Sequence, residues 1–245
     1  MDQPVTALTY VRPNLRLYLA NRSWALYTPI YILIGMTILS VLVGALIGIV
    51  TGFPLPEGDT VAMRYNAGAV YSIPGFLFSV GVLAMNRNFS MALAFGSTRR
   101  NFWFGSALGF VLTSLLVGLG SLIFLGLEFA TDHWFINARA FDVDALGNGD
   151  PWLTFASMFV LSLVSLFAGA FFGTIFRAFG TVWTVVAAIV ISVLTIALVA
   201  VLVWQWDAIS DRLVGLGDWL SIIITLVLAI LAAAGSYGVN RLATV

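Results

Sequence analysis

Apolar residues run through this chain in six long blocks, and the polar residues gather in the gaps between them. The blocks are 27–50, 65–85, 103–127, 152–175, 181–203 and 219–239. As helix, about 20 residues cross a hydrocarbon core of about 30 Å. No block carries Asp, Glu or Arg in its interior. A charge at the centre of a span costs about 2.5–3.5 kcal/mol. The pattern therefore predicts an all-α membrane protein: one transmembrane domain over residues 1–245 with six transmembrane helices. Ahead of the first block, residues 5–23 place Val11, Leu15, Tyr18 and Leu19 at helical spacing, with Arg12, Arg16 and Arg22 displaced from them. This predicts an N-terminal amphipathic helix in the membrane interface, with Pro13 near its start. It reads either as a topology anchor or as an elbow that braces the bundle.

The charges in the gaps alternate in sign. On one side lie Arg12, Arg16, Arg22, Arg87, Arg99, Arg100, Arg177 and Arg241 with Asp2: eight arginines and one acid, a net +7. On the other lie Arg64, Arg139 and Arg212 with Glu57, Asp59, Glu128, Asp132, Asp142, Asp144, Asp150, Asp207, Asp211 and Asp218: three arginines and ten acids, a net −7. By the positive-inside rule the first side is cytoplasmic, so both termini are cytoplasmic. The tryptophans agree. Trp24, Trp103 and Trp183 fall at the basic ends of blocks. Trp134, Trp152, Trp204, Trp206 and Trp219 fall on the acidic side, as interfacial belts do.

Composition narrows the chemistry. The chain is 61% hydrophobic and 9% charged, with no net charge and no cysteine. Soluble domains are about 25% charged, so lipid must solvate much of this surface. Zero net charge gives no sign of a nucleic-acid partner. Without cysteine there is no thiol nucleophile, disulfide or thiolate metal site. Every basic residue is arginine, so the lysine of a Walker phosphate loop is missing. The first block is longer than a signal-peptide core and is expected to be retained.

Three segments invite a functional reading. The gap from Asn86 to Gly105 carries Arg87, Arg99 and Arg100 and no acid. Within it, Phe89, Met91, Leu93 and Phe95 predict a short helix over 88–95 at the membrane face, stopped by Gly96. Ser97 or Thr98 is placed to cap the helix that follows. Such a helix could plug a groove on a partner, or it could be a lipid-facing loop whose arginines hold phosphates. In the second block Pro74 and Gly75 predict a kink near mid-membrane, either a packing kink or a pathway hinge. Small residues four apart, Gly44/Gly48, Gly105/Gly109 and Gly169/Gly173, permit close helix approach. His133 lies near Glu128 and Asp132 without a defined ligand geometry, so no metal is expected. The acidic loop reads as a solvated face.

The stretch Gly96-Ser97-Thr98-Arg99-Arg100-Asn101-Phe102-Trp103-Phe104-Gly105 resembles the G-x-[ST]-R-[RK]-x-[FY]-x-x-G segment of permease subunits of type-2 ATP-binding-cassette exporters from Gram-positive bacteria. The six-block layout and amphipathic lead-in resemble that family over the whole chain. The resemblance implies a bacterial inner-membrane protein that forms a translocation path. It pairs with a second permease copy or a related permease, and with two separate ATPase subunits. ATP and Mg would sit on those ATPases and no cofactor on this chain. It also implies that 88–95 is the coupling helix, with Thr98, Arg99 and Arg100 at the rim of the ATPase contact, and that the second and fifth spans line the path.

Two other classes compete. An intramembrane enzyme needs ionisable groups at membrane depth, and the blocks carry none; nor is there a G-x-S-x-G or H-E-x-x-H motif. An unpowered channel, immunity factor or assembly scaffold remains the alternative. An apolar path would suit amphiphilic or hydrophobic cargo.

Overall fold

In the computed structural model the described residues are 7–65, 70, 72–205, 217 and 219–242. All regular structure among them is helical: α1 (Ala7–Ala20), α2 (Thr28–Thr51), α3 (Glu57–Arg64), α4 (Ser72–Ala94), α5 (Arg99–Ala130), α6 (Pro151–Trp204) and α7 (Trp219–Leu242). A π-helical turn, Ser23–Tyr27, joins α1 to α2. Five helical stretches among these residues are long and apolar enough to cross a membrane, which makes the chain a membrane protein of helical class. Parts of the predicted features lie outside the described residues: 5 and 6 of the lead-in, 66–69 and 71 of the second block, and the loop residues Trp206, Asp207, Asp211, Arg212 and Asp218.

The fourth and fifth blocks lie end to end in α6 as two helices that meet at a kink. Fifty-four residues of α6 would measure about 80 Å at 1.5 Å per residue, far more than a bilayer core. The helix is broken at Gly180, whose φ of 82° and ψ of −176° leave the helical region. Glycine takes positive φ without steric cost. No proline or polar run follows it, so helical bonding resumes at once and Thr184 Oγ1 donates to the Gly180 carbonyl. Residues 152–175 are largely buried among other helices, whereas nearly every side chain described in 181–204 is exposed.

The first part of α6 is the hub on which α4, α5 and α7 pack. Phe102, Phe110, Leu77, Met85 and Leu166 are fully buried at this centre. Two contacts are backbone to backbone. A Cβ at Gly169 would lie 2.0 Å from the Phe78 carbonyl oxygen, and one at Gly81 would lie 2.2 Å from that of Leu166. The predicted small-residue pairs therefore have different partners. Gly169/Gly173 meet α4, Gly105/Gly109 meet Asn14 and Tyr18 of α1, and Gly44/Gly48 meet chiefly Ala138 and Phe53 from the loops, with Met63 of α3 beside Gly44.

Three boundaries differ from the sequence expectation. The second span is α4, which extends to Ala94, so 88–95 is its last two turns and not a separate helix. Nothing between Met85 and Phe95 breaks a helix. Gly96 does, with φ at 77°: Gly96 N–H donates to Leu93 O and Ser97 N–H to Ala92 O, a Schellman ending. Pro74 is the third residue of α4 rather than a mid-membrane kink, in a first turn whose amides have no intrahelical acceptor. Pro13 lies inside α1 rather than near its start. One element was not anticipated. In α3, Glu57 and Asp59 lie in the first turn and Arg64 in the last, matching the helix dipole.

Among the described residues, the two charge classes lie at opposite ends of the bundle. At the basic end the α4–α5 turn meets the end of α7: Arg99 Nη1 donates to Arg241 O at 3.3 Å, and Asn240 Nδ2 to Arg99 O at 3.0 Å. At the acidic end the α2–α3 loop meets the loop after α5: Leu55 N–H donates to Ile136 O at 3.1 Å.

Candidate functional site

The basic end is built by the α4–α5 turn, the C-terminal turn of α7, Arg177 and α1. The four large apolar residues of 88–95 divide by face. Phe89 is 3% exposed and Leu93 packs on the core, whereas Met91 is 46% and Phe95 79% exposed. Four residues apart, Met91 and Phe95 form one outward apolar strip at the end of α4. The inward pair has its own partner: the Arg177 guanidinium lies 3.5 Å from the Phe89 ring centroid. Its Nη2 donates to Asn240 Oδ1 at 2.6 Å.

Thr98 caps α5, its hydroxyl accepting from Asn101 N–H at 3.2 Å. Arg99 and Arg100 part company. Arg99 is half-buried and tied to the end of α7, while Arg100 is exposed. Met91, Phe95, Thr98 and Arg100 of the predicted contact residues are therefore exposed, while Phe89, Leu93 and Arg99 hold the turn and the Thr98 hydroxyl caps α5. Sequence reasoning missed Arg177 and Asn240. A lone arginine in a short apolar gap was the one available signal, and its partners lie more than 60 positions away.

The lead-in helix runs beside α5 rather than flat beneath the bundle. Asn14 faces Gly105, Tyr18 faces Gly109 and Ala25 meets Thr113, so the two chains run in parallel. Thr113 Oγ1 donates to Ala25 O at 3.2 Å, which leaves Tyr18 O–H to donate to Thr113 at 3.0 Å. Burial pushes the Tyr18 phenol up from 10.0 to about 12. Arg12, Arg16 and Arg22 remain exposed. Between α1 and the α4–α5 turn lies an open groove of about 700 Å³. Asn14 Nδ2 donates to Ser97 Oγ at 2.8 Å and links its two walls.

Pro74 is half-buried, and Gly75 is exposed with nothing within 4 Å of a Cβ. Both lie near the acidic end of α4, away from the turn. Trp103, at the basic end, turns inward: its Nε1 donates to Ser236 Oγ at 3.2 Å and its ring stacks on Phe167.

The acidic loop is not simply a solvated face. Glu128 is fully buried and accepts backbone N–H bonds from Ala140, Phe141 and Asp142, at 2.7 Å from Phe141. Asp142 is 2% exposed and takes Arg64 at 2.9 Å and Arg139 at 2.5 Å on one oxygen. Two carboxylates and two guanidiniums make this cluster neutral. Glu128, His133 and Asp142 bring one donor atom each within 4.8 Å, a spacing open to a cation. The donor set argues otherwise, because amides occupy Glu128 and two guanidiniums occupy Asp142. The arrangement staples the loop. It also holds Asp132, His133, Trp134 and Phe135 at φ of 50–63°, a left-handed turn that ordinarily costs about 1–2 kcal/mol per residue.

No family model, curated protein or solved structure matches this chain.

Proposed function

We propose that this chain is the transmembrane permease subunit of an ATP-binding-cassette exporter in a bacterial inner membrane, with the basic end cytoplasmic. It would form the translocation path together with a second permease copy or a related permease. Two separate ATPase subunits would bind and hydrolyse ATP with Mg. The observation that carries this reading is the end of α4. Met91 and Phe95 stand outward beside Arg100, while Phe89, Leu93, Thr98 and Arg99 fasten the same turn to α5, α6 and α7. An apolar strip on a rigid lever is what force transfer from a soluble motor needs. A displaced turn would move α4 and α5 together, and α6 with them through the α4–α6 contact. Cargo would be an amphiphile or hydrophobe, such as a peptide, antibiotic, drug or lipid.

The test is whether an ABC ATPase is encoded beside this chain and co-purifies with it, followed by ATPase and transport assays on the reconstituted complex. Phe95→Asp with Arg100→Glu is expected to lower transport-coupled ATP hydrolysis at least tenfold while the chain still inserts. Absence of any associated ATPase, or full coupling in that double variant, sinks the proposal and favours an unpowered channel, immunity factor or scaffold.

A further inference from the structure

The groove between α1 and the α4–α5 turn has two chemistries. Leu17, Ala92 and Phe95 give it apolar surface, and Asn14, Ser97, Asn101 and Arg100 give it polar surface. Among the described residues no acid lines it. The charges nearest it in sequence on the α1 wall, Arg12 and Arg16, are both basic and exposed. Its size, about 700 Å³, is within the range of small-molecule sites. The Asn14–Ser97 bond fixes the spacing of its walls, so the space does not depend on a ligand to open it.

Its depth is set by α5. Thirty-two residues rise about 48 Å, against about 30 Å of hydrocarbon and about 40–45 Å including headgroups. With the Glu128 end at one boundary, the first turn of α5 reaches the headgroup layer of the opposite leaflet. Its described lining has an apolar floor, uncharged hydrogen-bonding walls and only cationic charge, and at that depth it complements one kind of molecule. That molecule has an anionic phosphate head and an acyl tail.

We infer that this groove is a binding site for one anionic phospholipid, its phosphate held by Arg100 with Arg12 and Arg16 nearby, its glycerol by Ser97 and Asn101, and its first methylenes on Leu17 and Phe95. The site does not rest on the permease reading, but it shares Phe95 and Arg100 with the proposed ATPase contact, so lipid and ATPase would compete for this turn. A bound lipid would wedge α1 against the α4–α5 turn and stiffen both.

The full chain, purified in detergent, is titrated with phosphatidylglycerol or phosphatidylcholine and read by native mass spectrometry. One phosphatidylglycerol is expected to bind saturably, at least tenfold tighter than phosphatidylcholine. Arg100→Gln is expected to weaken it about fivefold, as for one arginine near an anionic surface, and Arg100→Lys to restore it. Arg87→Gln, the same charge loss outside the groove, is expected to leave it unchanged. Because the chain lacks cysteine, Asn101→Cys gives a second reading: maleimide labelling slows with phosphatidylglycerol and not with phosphatidylcholine. Equal binding of the two lipids overturns the inference, as does an equal loss in Arg87→Gln. Displacement of the lipid by millimolar inorganic phosphate would assign the groove to a free anion. Protection of Asn101→Cys by an added ATPase, with none by lipid, would assign it to a protein partner. Either result rejects the lipid site.

Discussion

Tyr18 shows how a single side chain can be read two ways. Its spacing with Val11 and Leu15 makes it one apolar position on a surface helix; in the bundle its hydroxyl is the donor that starts a buried chain to Thr113 and Ala25. The phenol ionises at about 12 when folded and near 10.0 when free. The unfolded chain therefore releases that proton first, and stability is unaffected below pH 10 and falls as pH rises from 10 toward 12. Denaturation in detergent across pH 9–11.5 is expected to show this slope and Tyr18→Phe to reduce it, at a cost of about 1 kcal/mol at neutral pH. Glu128 carries the opposite lesson. Placed by sequence just beyond a span, it counts as one more loop acid. In the structure it is the acceptor for three consecutive loop amides. Glu128→Ala is expected to destabilise the protein by about 2–4 kcal/mol. It should expose the 131–146 loop to proteolysis, which limited digestion of the reconstituted protein would register.

At the scale of elements, glycines decide which helices touch. Gly81 and Gly169 bring α4 and α6 to backbone contact, where an added Cβ has carbonyl oxygen and not a flexible side chain in its way. Gly169→Val is expected to abolish the monodisperse folded species, or to lower its melting midpoint by more than 10 °C. Gly75→Ala, with open space around it, should leave the midpoint unchanged or slightly raised, since alanine is the better helix former. Thermal scans with size-exclusion readout compare the two directly. The small-xxx-small spacing of Gly169 and Gly173 was visible in the sequence; that its partner is α4 was not, because spacing carries no information about the facing surface. The stop at Gly96 and the Thr98 cap were both legible, since each is a local backbone rule. The start of the helix was not: no residue between Met85 and Asn88 interrupts the helix, and an apolar-to-polar change in pattern does not break hydrogen bonds.

For the molecule as a whole, the described residues of the two charge classes collect at opposite ends of one bundle, with Arg99, Arg177 and Arg241 together and Glu128 with Asp142 at the other end. Residues 181–204 present apolar side chains such as Ile189, Leu194 and Leu198 on all sides. A helix apolar all round needs lipid or protein about it, which accords with a chain that works in a bilayer. Hydropathy by itself determined the helical class and the membrane as solvent, because a charge at the centre of a span costs about 2.5–3.5 kcal/mol and the long apolar blocks carry none. It also determined that Phe95 and Arg100 lie near a turn. Only the tertiary structure decided that Met91, Phe95 and Arg100 face outward while Phe89, Leu93 and Arg99 are held inside, that α1 stands against α5, and that Asp142 is neutralised by two arginines. These outcomes depend on contacts between residues tens of positions apart, and in an almost uniformly apolar chain the local pattern does not distinguish a face that meets lipid from one that meets another helix.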